Sequence, residues 1–399
     1  MNRYGSKRLS NLGSAIFSEV AAWKEEVRSR GVDVIDLGIG SPDLPPSPKV
    51  MAAMQAAVSN PKLYGYPTSE GSLAFREAVA SWYRFRFGVE LDPAAEVVTL
   101  MGSQDGLAHL AMAVADPGDI ALVPDPGYPI YSASLVLAGV EPYYMPLRAE
   151  NGFLPELDRI PDQIAKKAKF MLLNYPSNPL SAVATKEFFE ELVAFARQHN
   201  LLLVHDLAYS EMAFDGFRPP SLLEIDGAKQ VAVEFHSLSK SFNMAGCRIA
   251  FMVGLREAVK ALATLKSNID YGVFLAVQEA GIAALQEDME QEGHTVAAVY
   301  ERRRDLVIDG LKAAGWDIPK PKATMFIWAP IPQGWTSRQI SREILFDAGV
   351  VVIPGDAFGS EGEGYVRIAL VQEEERLLEA VRRIAAFLKK SGSGEAGIV

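Results

Sequence analysis

The feature that most restricts the fold is an alternation that runs from Glu96 to Val253. Short apolar runs rich in β-branched residues, at 97–100, 120–123, 170–173, 201–204, 231–235 and 249–253, read as buried strands. Helical patterns fall between some of them, at 107–114 and most clearly at Lys186–His199. Strands that are apolar on both sides need helices on both faces, so the pattern predicts a largely parallel α/β sheet. Ligands of such sheets bind beyond the carboxyl ends of the strands.

Polar residues collect at those ends. Asn174-Tyr175-Pro176-Ser177-Asn178-Pro179 leaves one strand, His205-Asp206-Leu207-Ala208-Tyr209 a second, and Ser237-Leu238-Ser239-Lys240 a third, with Ser241 and Arg248 following. Each has an ordinary explanation. Asn178 serves a proline turn or a ligand, Asp206 caps a helix or meets a cation, and Tyr209 packs or hydrogen-bonds. A lone loop lysine is usually solvated. Three hydroxyls and a guanidinium around an amine nevertheless describe a site for an anion that also carries a carbonyl. Pyridoxal 5'-phosphate (PLP) is such a ligand, because its aldehyde condenses with a lysine while its phosphate needs hydroxyl and arginine donors.

The roles follow from that chemistry. Lys240 is the amine that captures the aldehyde and then moves a proton, which is transamination. Asp206 is the buried carboxylate that keeps the pyridine nitrogen protonated. Asn178 and Tyr209 bond the phenolate oxygen, and Tyr128, in Asp125-Pro126-Gly127-Tyr128-Pro129, stacks on the ring. The turn Gly102-Ser103-Gln104-Asp105-Gly106 offers backbone N–H groups of Ser103 and Gln104 to the phosphate, which also takes Ser237, Ser239 and Arg248. Glycines 38 and 40 either form a plain turn or admit a ligand to the backbone. Tyr64 and Tyr66 read as surface packing, and Arg367, alone among apolar strand residues, is either solvent-facing or bound to an anion. The five histidines, His109, His199, His205, His236 and His294, lack zinc-ligand spacing, and His236 reads as a packed residue.

The rest of the chain supplies further elements. A helix carries Ile16, Val20, Trp23 and Val27 and ends at Gly31; strand 32–37 and helices 51–58 and 73–85 follow. After 255 come helices at 255–268, 276–285, 296–313, 338–348 and 373–388, strands at 324–329, 350–353 and 365–370, and a frayed tail at 391–399. With 399 residues, two domains are expected. The net charge of −11 has no dense basic cluster, which argues for small-molecule partners and no nucleic acid. The single cysteine, Cys247, excludes an internal disulfide and fits a reducing compartment. No secretory h-region stands at residues 1–10 and no apolar run reaches about 18 residues, so no membrane span and a cytoplasmic location are expected.

Together, Ser237-Leu238-Ser239-Lys240 with Arg248, Asn178-Pro179, Asp206 with Tyr209, and Arg367 resemble the fold-type-I PLP-dependent aminotransferases of the aspartate aminotransferase superfamily. The likeness runs from Val34 to Leu388. Asp36-Leu37-Gly38-Ile39-Gly40, Tyr66-Pro67-Thr68-Ser69-Glu70-Gly71 and Phe235-His236-Ser237 are most similar to the bacterial LL-diaminopimelate aminotransferase group. The resemblance implies a large domain at 46–290, with a mostly parallel sheet sandwiched by helices, and a smaller α+β domain from 10–45 and 291–395. It implies a homodimer with shared active sites, in which Tyr66 reaches the partner's cofactor phosphate. Gly40 and Arg367 would hold the substrate carboxylate. Leu180-Ser181 stands where the family usually has Thr-Gly, Cys247 where a large apolar residue is common, and Gln104-Asp105 where Lys-Glu is common. The substrates expected are an amino acid and a 2-oxo acid, such as LL-diaminopimelate with glutamate or another dicarboxylic pair. An aspartate, alanine or aromatic aminotransferase, a C–S β-lyase, and a PLP-sensing regulator are the alternatives; the last is disfavoured by the lack of room for a DNA-binding domain.

Overall fold

The computed structural model describes residues 5, 6, 8, 9, 12, 15–290 and 295–392. His294, residues 10, 11, 13 and 14 and the tail beyond 392 lie outside them; residues 391 and 392 extend the last helix. The described residues form twelve strands in chain order: β1 Ile35–Asp36, β2 Val97–Leu100, β3 Ile120–Asp125, β4 Glu141–Pro146, β5 Ala168–Asn174, β6 Leu202–Asp206, β7 Ala232–Ser237, β8 Ala250–Gly254, β9 Phe326–Pro330, β10 Val350–Val351, β11 Ile353–Pro354 and β12 Tyr365–Ala369.

Seven strands form one sheet in the order β2-β8-β7-β6-β5-β3-β4. All neighbours are parallel except β8, which runs against both β2 and β7. Alternate residues feed two cores, one on each face. Val98, Val123, Leu172, Val204 and Phe235 pack on one side, and Val97, Leu122, Met171, Leu203 and Phe251 on the other. This is the helix-covered, mostly parallel sheet the apolar runs predict.

A third core surrounds the antiparallel sheet β11-β12-β9 and the parallel pair β1-β10. It takes Val307 and Leu311 from helix Thr295–Ala313 and Leu377, Val381 and Ile384 from helix Glu374–Gly392, while Ile35 and Leu37 enter from the other end of the chain. Helix Ala15–Ser29 packs nearby through Ile16, Val20 and Val27, with Trp328 and Ile353. Among the described residues no helix is long and apolar enough to cross a membrane.

Several sequence expectations need correction. The 102–106 turn is shorter than expected, because the helix already begins at Ser103 behind Gly102. Strand 120–123 continues through Pro124 to Asp125, so the break falls at Pro126. The run 350–353 is two strands in two sheets, and helix 338–348 gives way at Ile344–Ala348 to a wider π turn. Strand β4 and helix Ile130–Ala138 were not foreseen. β4 is a largely exposed edge strand ending in proline, so it lacks the apolar run that marks its neighbours.

Candidate active site

β5, β6 and β7 lie side by side and parallel, with Asn174 opposite Asp206 and Asp206 opposite Phe235. Their carboxyl ends therefore open on one place. A cavity of about 320 Å³ lies there, and it is lined by Gly40, Ser103, Gln104, Tyr128, Asn178, Asp206, Tyr209, Ser237, Ser239, Lys240, Arg248 and Arg367. Of the candidates read from sequence Tyr66 and Ser241 are elsewhere: Tyr66 is 88% exposed, with its ring 5.1 Å from that of Tyr271. The hydroxyl of Ser241 is a correction. It faces away from this cavity, because residues 239 and 241 of the short helix Leu238–Ser241 point in nearly opposite directions.

Asp206 is buried, and burial is the main cause that raises its pKa. Opposing that, Tyr131 Oη donates to Oδ2 at 2.8 Å and the Ala208 N–H to Oδ1 at 3.3 Å. Lys240 Nζ donates to the carbonyl of Gly40 at 2.5 Å. Burial, and then the like charges of Arg367 and Arg248, bring its pKa down to about 8, against the pull of Asp206. A lysine so placed is neutral in a much larger fraction of molecules near pH 8 than an ordinary lysine.

Arg367 is buried on β12, against Trp328 of β9 and Ile353 of β11, which removes the solvent-facing alternative. Its guanidinium lies between the rings of Phe326 at 4.4 Å and Phe358 at 4.7 Å. Nη2 donates to Gly38 O at 2.7 Å and Nη1 to Asn178 Oδ1 at 2.9 Å, while Nε is buried without a partner. Desolvation brings its pKa down to about 10, which leaves it charged at neutral pH. Gly40 has to be glycine here: a Cβ would come within 2.9 Å of the Phe326 ring.

At the other end of the cavity Gly102 has φ +88°, and a Cβ on it would sit 2.3 Å from Arg248 Nη2. The guanidinium thus lies directly over the start of helix Ser103–Val114, where free N–H groups and the dipole favour an anion. Ser237 Oγ caps the next short helix through the Ser239 N–H at 3.1 Å. Tyr128 Oη donates to Gln104 Oε1 at 3.1 Å.

Sequence reasoning missed the residues that hold these groups still. Asn174 donates to Asp206 O at 2.7 Å and Pro176 O at 3.2 Å, and accepts from the Asn178 N–H at 2.7 Å. Tyr131, one helical turn beyond Tyr128, and Phe17 and Phe358 also line the cavity. Spacing hinted only at Tyr131. His236 is packed, as read: it is fully buried, stacks on Phe251 and bonds Ser210 at 2.7 Å. Ser181 adopts φ 54°, and its Oγ meets Thr324 Oγ1 and Phe326 O, each at 2.8 Å. Those two bonds offset the cost of a left-handed serine.

The comparisons with known proteins converge on this architecture. The family model for aminotransferase class I and II matches residues 32–384. The chain belongs to the class I and II aminotransferases. It is 50% identical to the LL-diaminopimelate aminotransferase of Moorella thermoacetica, over 96% of this chain and 98% of that one. It is 49% identical to LL-diaminopimelate aminotransferase 2 of Trichormus variabilis, over 95% and 97%. Among solved structures, substrate-bound BacF from Bacillus subtilis superposes with a TM-score of 0.92 at 40% identity, covering 97% and 98%. The probable N-succinyldiaminopimelate aminotransferase of Thermus thermophilus gives 0.88 at 40%, covering 94% and 100%. Like other class I and II aminotransferases, the chain is a transaminase, moving an amino group between an amino acid and a 2-oxo acid. Its fold is the fold-type-I arrangement of a helix-sandwiched sheet and a smaller α+β part.

Proposed function

We propose that this aminotransferase uses PLP and that LL-diaminopimelate and a 2-oxo acid, with glutamate as the paired amino acid, are its substrates. The observation that carries the cofactor reading is that the Lys240 amine and the Asp206 carboxylate line one cavity of about 320 Å³, with Arg248 over a glycine-led helix start at its end. Amine, buried carboxylate and anion cradle match the aldehyde, ring nitrogen and phosphate of PLP in number and chemistry. The substrate reading rests on 50% identity to a protein that bears that name.

In this reading Lys240 holds the cofactor covalently, Asp206 keeps its ring nitrogen protonated, and Tyr128 covers the ring face. Asn178 and Tyr209 bond its phenolate oxygen. Ser103, Gln104, Ser237, Ser239 and Arg248 hold the phosphate, and Arg367 with the Gly40 backbone holds the substrate carboxylate. Bound PLP supplies the electron sink that stabilises the pair left on the substrate Cα. Once the substrate amine has displaced it, the freed Lys240 Nζ, neutral for a useful fraction of the time near pH 8, would take the substrate Cα proton as base and then return a proton as acid. Phe17 and Phe358 exclude water from the carboxylate end.

The reading includes a cytoplasmic homodimer in which Tyr66 reaches the partner's phosphate. Its support is that Tyr66 lies outside its own cavity, in an exposed apolar patch with Tyr64, Ile269, Tyr271 and Phe274. In this reading 46–290 is the large domain, and the described residues of 10–45 and 291–395 are the small one.

Purified protein with PLP, given LL-diaminopimelate and 2-oxoglutarate, should yield glutamate in step with loss of the donor. Turnover confined to aromatic or alanine donors would overturn the substrate. Pyruvate and ammonia released from cystathionine without any 2-oxo acid would instead favour the β-lyase alternative.

A further inference from the structure

Lys266, at the end of helix Arg256–Lys266, is fully buried. An ammonium removed from water is costly unless carboxylates meet it, and here two do: Asp270 Oδ2 at 2.9 Å and Asp105 Oδ2 at 3.3 Å. Both carboxylates belong to segments that bear on the phosphate end of the cavity. Asp105 is in the first turn of helix Ser103–Val114, next to Gln104, and its Oδ2 also accepts the Met101 N–H at 3.4 Å. Its Oδ1 lies 3.1 Å from His109 Nδ1.

Asp270 opens the loop that carries Tyr271. Its Oδ1 accepts the Gly272 N–H at 2.7 Å, and its carbonyl accepts Ser69 Oγ at 3.3 Å. Gly272 sits so close to the neighbouring segment that a Cβ would fall 2.4 Å from Thr68 O, and the Tyr271 ring meets Tyr66. One ammonium therefore joins the anion-binding helix start to the loop that supports Tyr66.

We propose that Lys266 is a positioning residue for cofactor phosphate, coupling the Ser103–Gln104 turn of one subunit to the Tyr66 that serves the other. This rests on the PLP homodimer reading above. Lys266 acts twice. It neutralises Asp105, a carboxylate that would otherwise compete with phosphate for the positive end of the helix, and it fixes the loop under Tyr66. It touches neither cofactor nor substrate.

The test is titration of cofactor-stripped protein with PLP and, separately, with pyridoxal, which has no phosphate. Lys266→Met should weaken PLP binding about tenfold, the scale of one charge-assisted hydrogen bond, and leave pyridoxal within about twofold. Asp270→Asn, which leaves Lys266 paired with Asp105, should weaken PLP selectively even if Lys266→Met does not fold. Tyr66→Phe combined with either variant should cost less than the product of the two separate losses, since both act through one loop. Equal weakening of PLP and pyridoxal, no weakening of PLP, or full additivity with Tyr66→Phe overturns the proposal while the PLP reading stands. A wild-type protein that binds no PLP overturns both.

Discussion

Arg367 Nη1 donates to Asn178 Oδ1 at 2.9 Å, so a residue of the small antiparallel sheet is tied to the loop that leaves strand β5 of the large one. The bond fixes the guanidinium plane before any ligand arrives, and Phe326 and Phe358 hold its two faces. Pre-orientation of this kind reduces the ordering cost of binding. Arg367→Ala should raise KM for the amino acid about tenfold to a hundredfold, the range for a lost charge-assisted contact of about 1.5–3 kcal/mol. PLP affinity should hardly move. Steady-state kinetics at saturating PLP checks this, and an unchanged KM would remove Arg367 from the carboxylate site.

The pH dependence of cofactor capture follows from Lys240. Only the neutral amine attacks an aldehyde, and the Lys240 pKa of about 8 lies well below the 10.5 of an ordinary lysine. The rate of covalent PLP capture by stripped protein should rise with pH through about 8 and level off above it. Arg367→Met removes a like charge and should move that inflection upward. Stopped-flow absorbance measures both profiles; a wild-type rate still climbing at the pKa of a free lysine contradicts the assignment.

Asp206 makes the opposite kind of statement, about stability. Its folded-state pKa is raised by burial, so the folded protein holds this proton more tightly than the unfolded chain does. The stabilisation is present below the unfolded carboxyl pKa and is lost as pH rises through the folded one. Ionising Asp206 in the cofactor-free protein therefore works against the folded state. Asp206→Asn should raise the Tm of that protein at pH above the folded-state pKa of this carboxyl, with the gain shrinking as pH falls through that pKa. The same variant should lose transamination. Thermal melts across pH without cofactor decide the first point, and a lower Tm at neutral pH would contradict it.

Asn174 holds the two loops that deliver Asp206 and Asn178, through bonds at 2.7 Å to each. Asn174→Ala leaves three buried backbone groups without this partner, at about 1–3 kcal/mol each, so a loss of at least about 3 kcal/mol is expected in urea unfolding. Because Asn178 would lose its anchor, kcat should fall while the melting of Asn174→Asp, which keeps the acceptor, stays closer to wild type. A stable Asn174→Ala enzyme with unchanged kcat would show that the strand ends need no such tie.

How much was legible without coordinates varies by residue. That Lys240, Asp206 and Asn178 line one cavity was legible because each follows an apolar strand, and parallel strands all end on the same edge. Ser241 was wrongly grouped with Ser237 and Ser239, because helical rotation turns it toward another cavity. Tyr131 escaped notice and Asn174 was given no role of its own, since a tyrosine near a proline turn and an asparagine in a proline loop look ordinary until their partners are seen. β4 was missed because an exposed edge strand has no apolar periodicity to read.

The sequence by itself determined the layered sheet and the chemical inventory at its edge, because periodicity in burial and the nature of each side chain are local properties of the chain. Only the tertiary structure decided that Arg367, more than a hundred residues beyond Lys240, presses its charge on that amine, and that Lys266 joins Asp105 to Asp270. Electrostatic coupling depends on distance through space and on the exclusion of water, and neither is written in the order of residues.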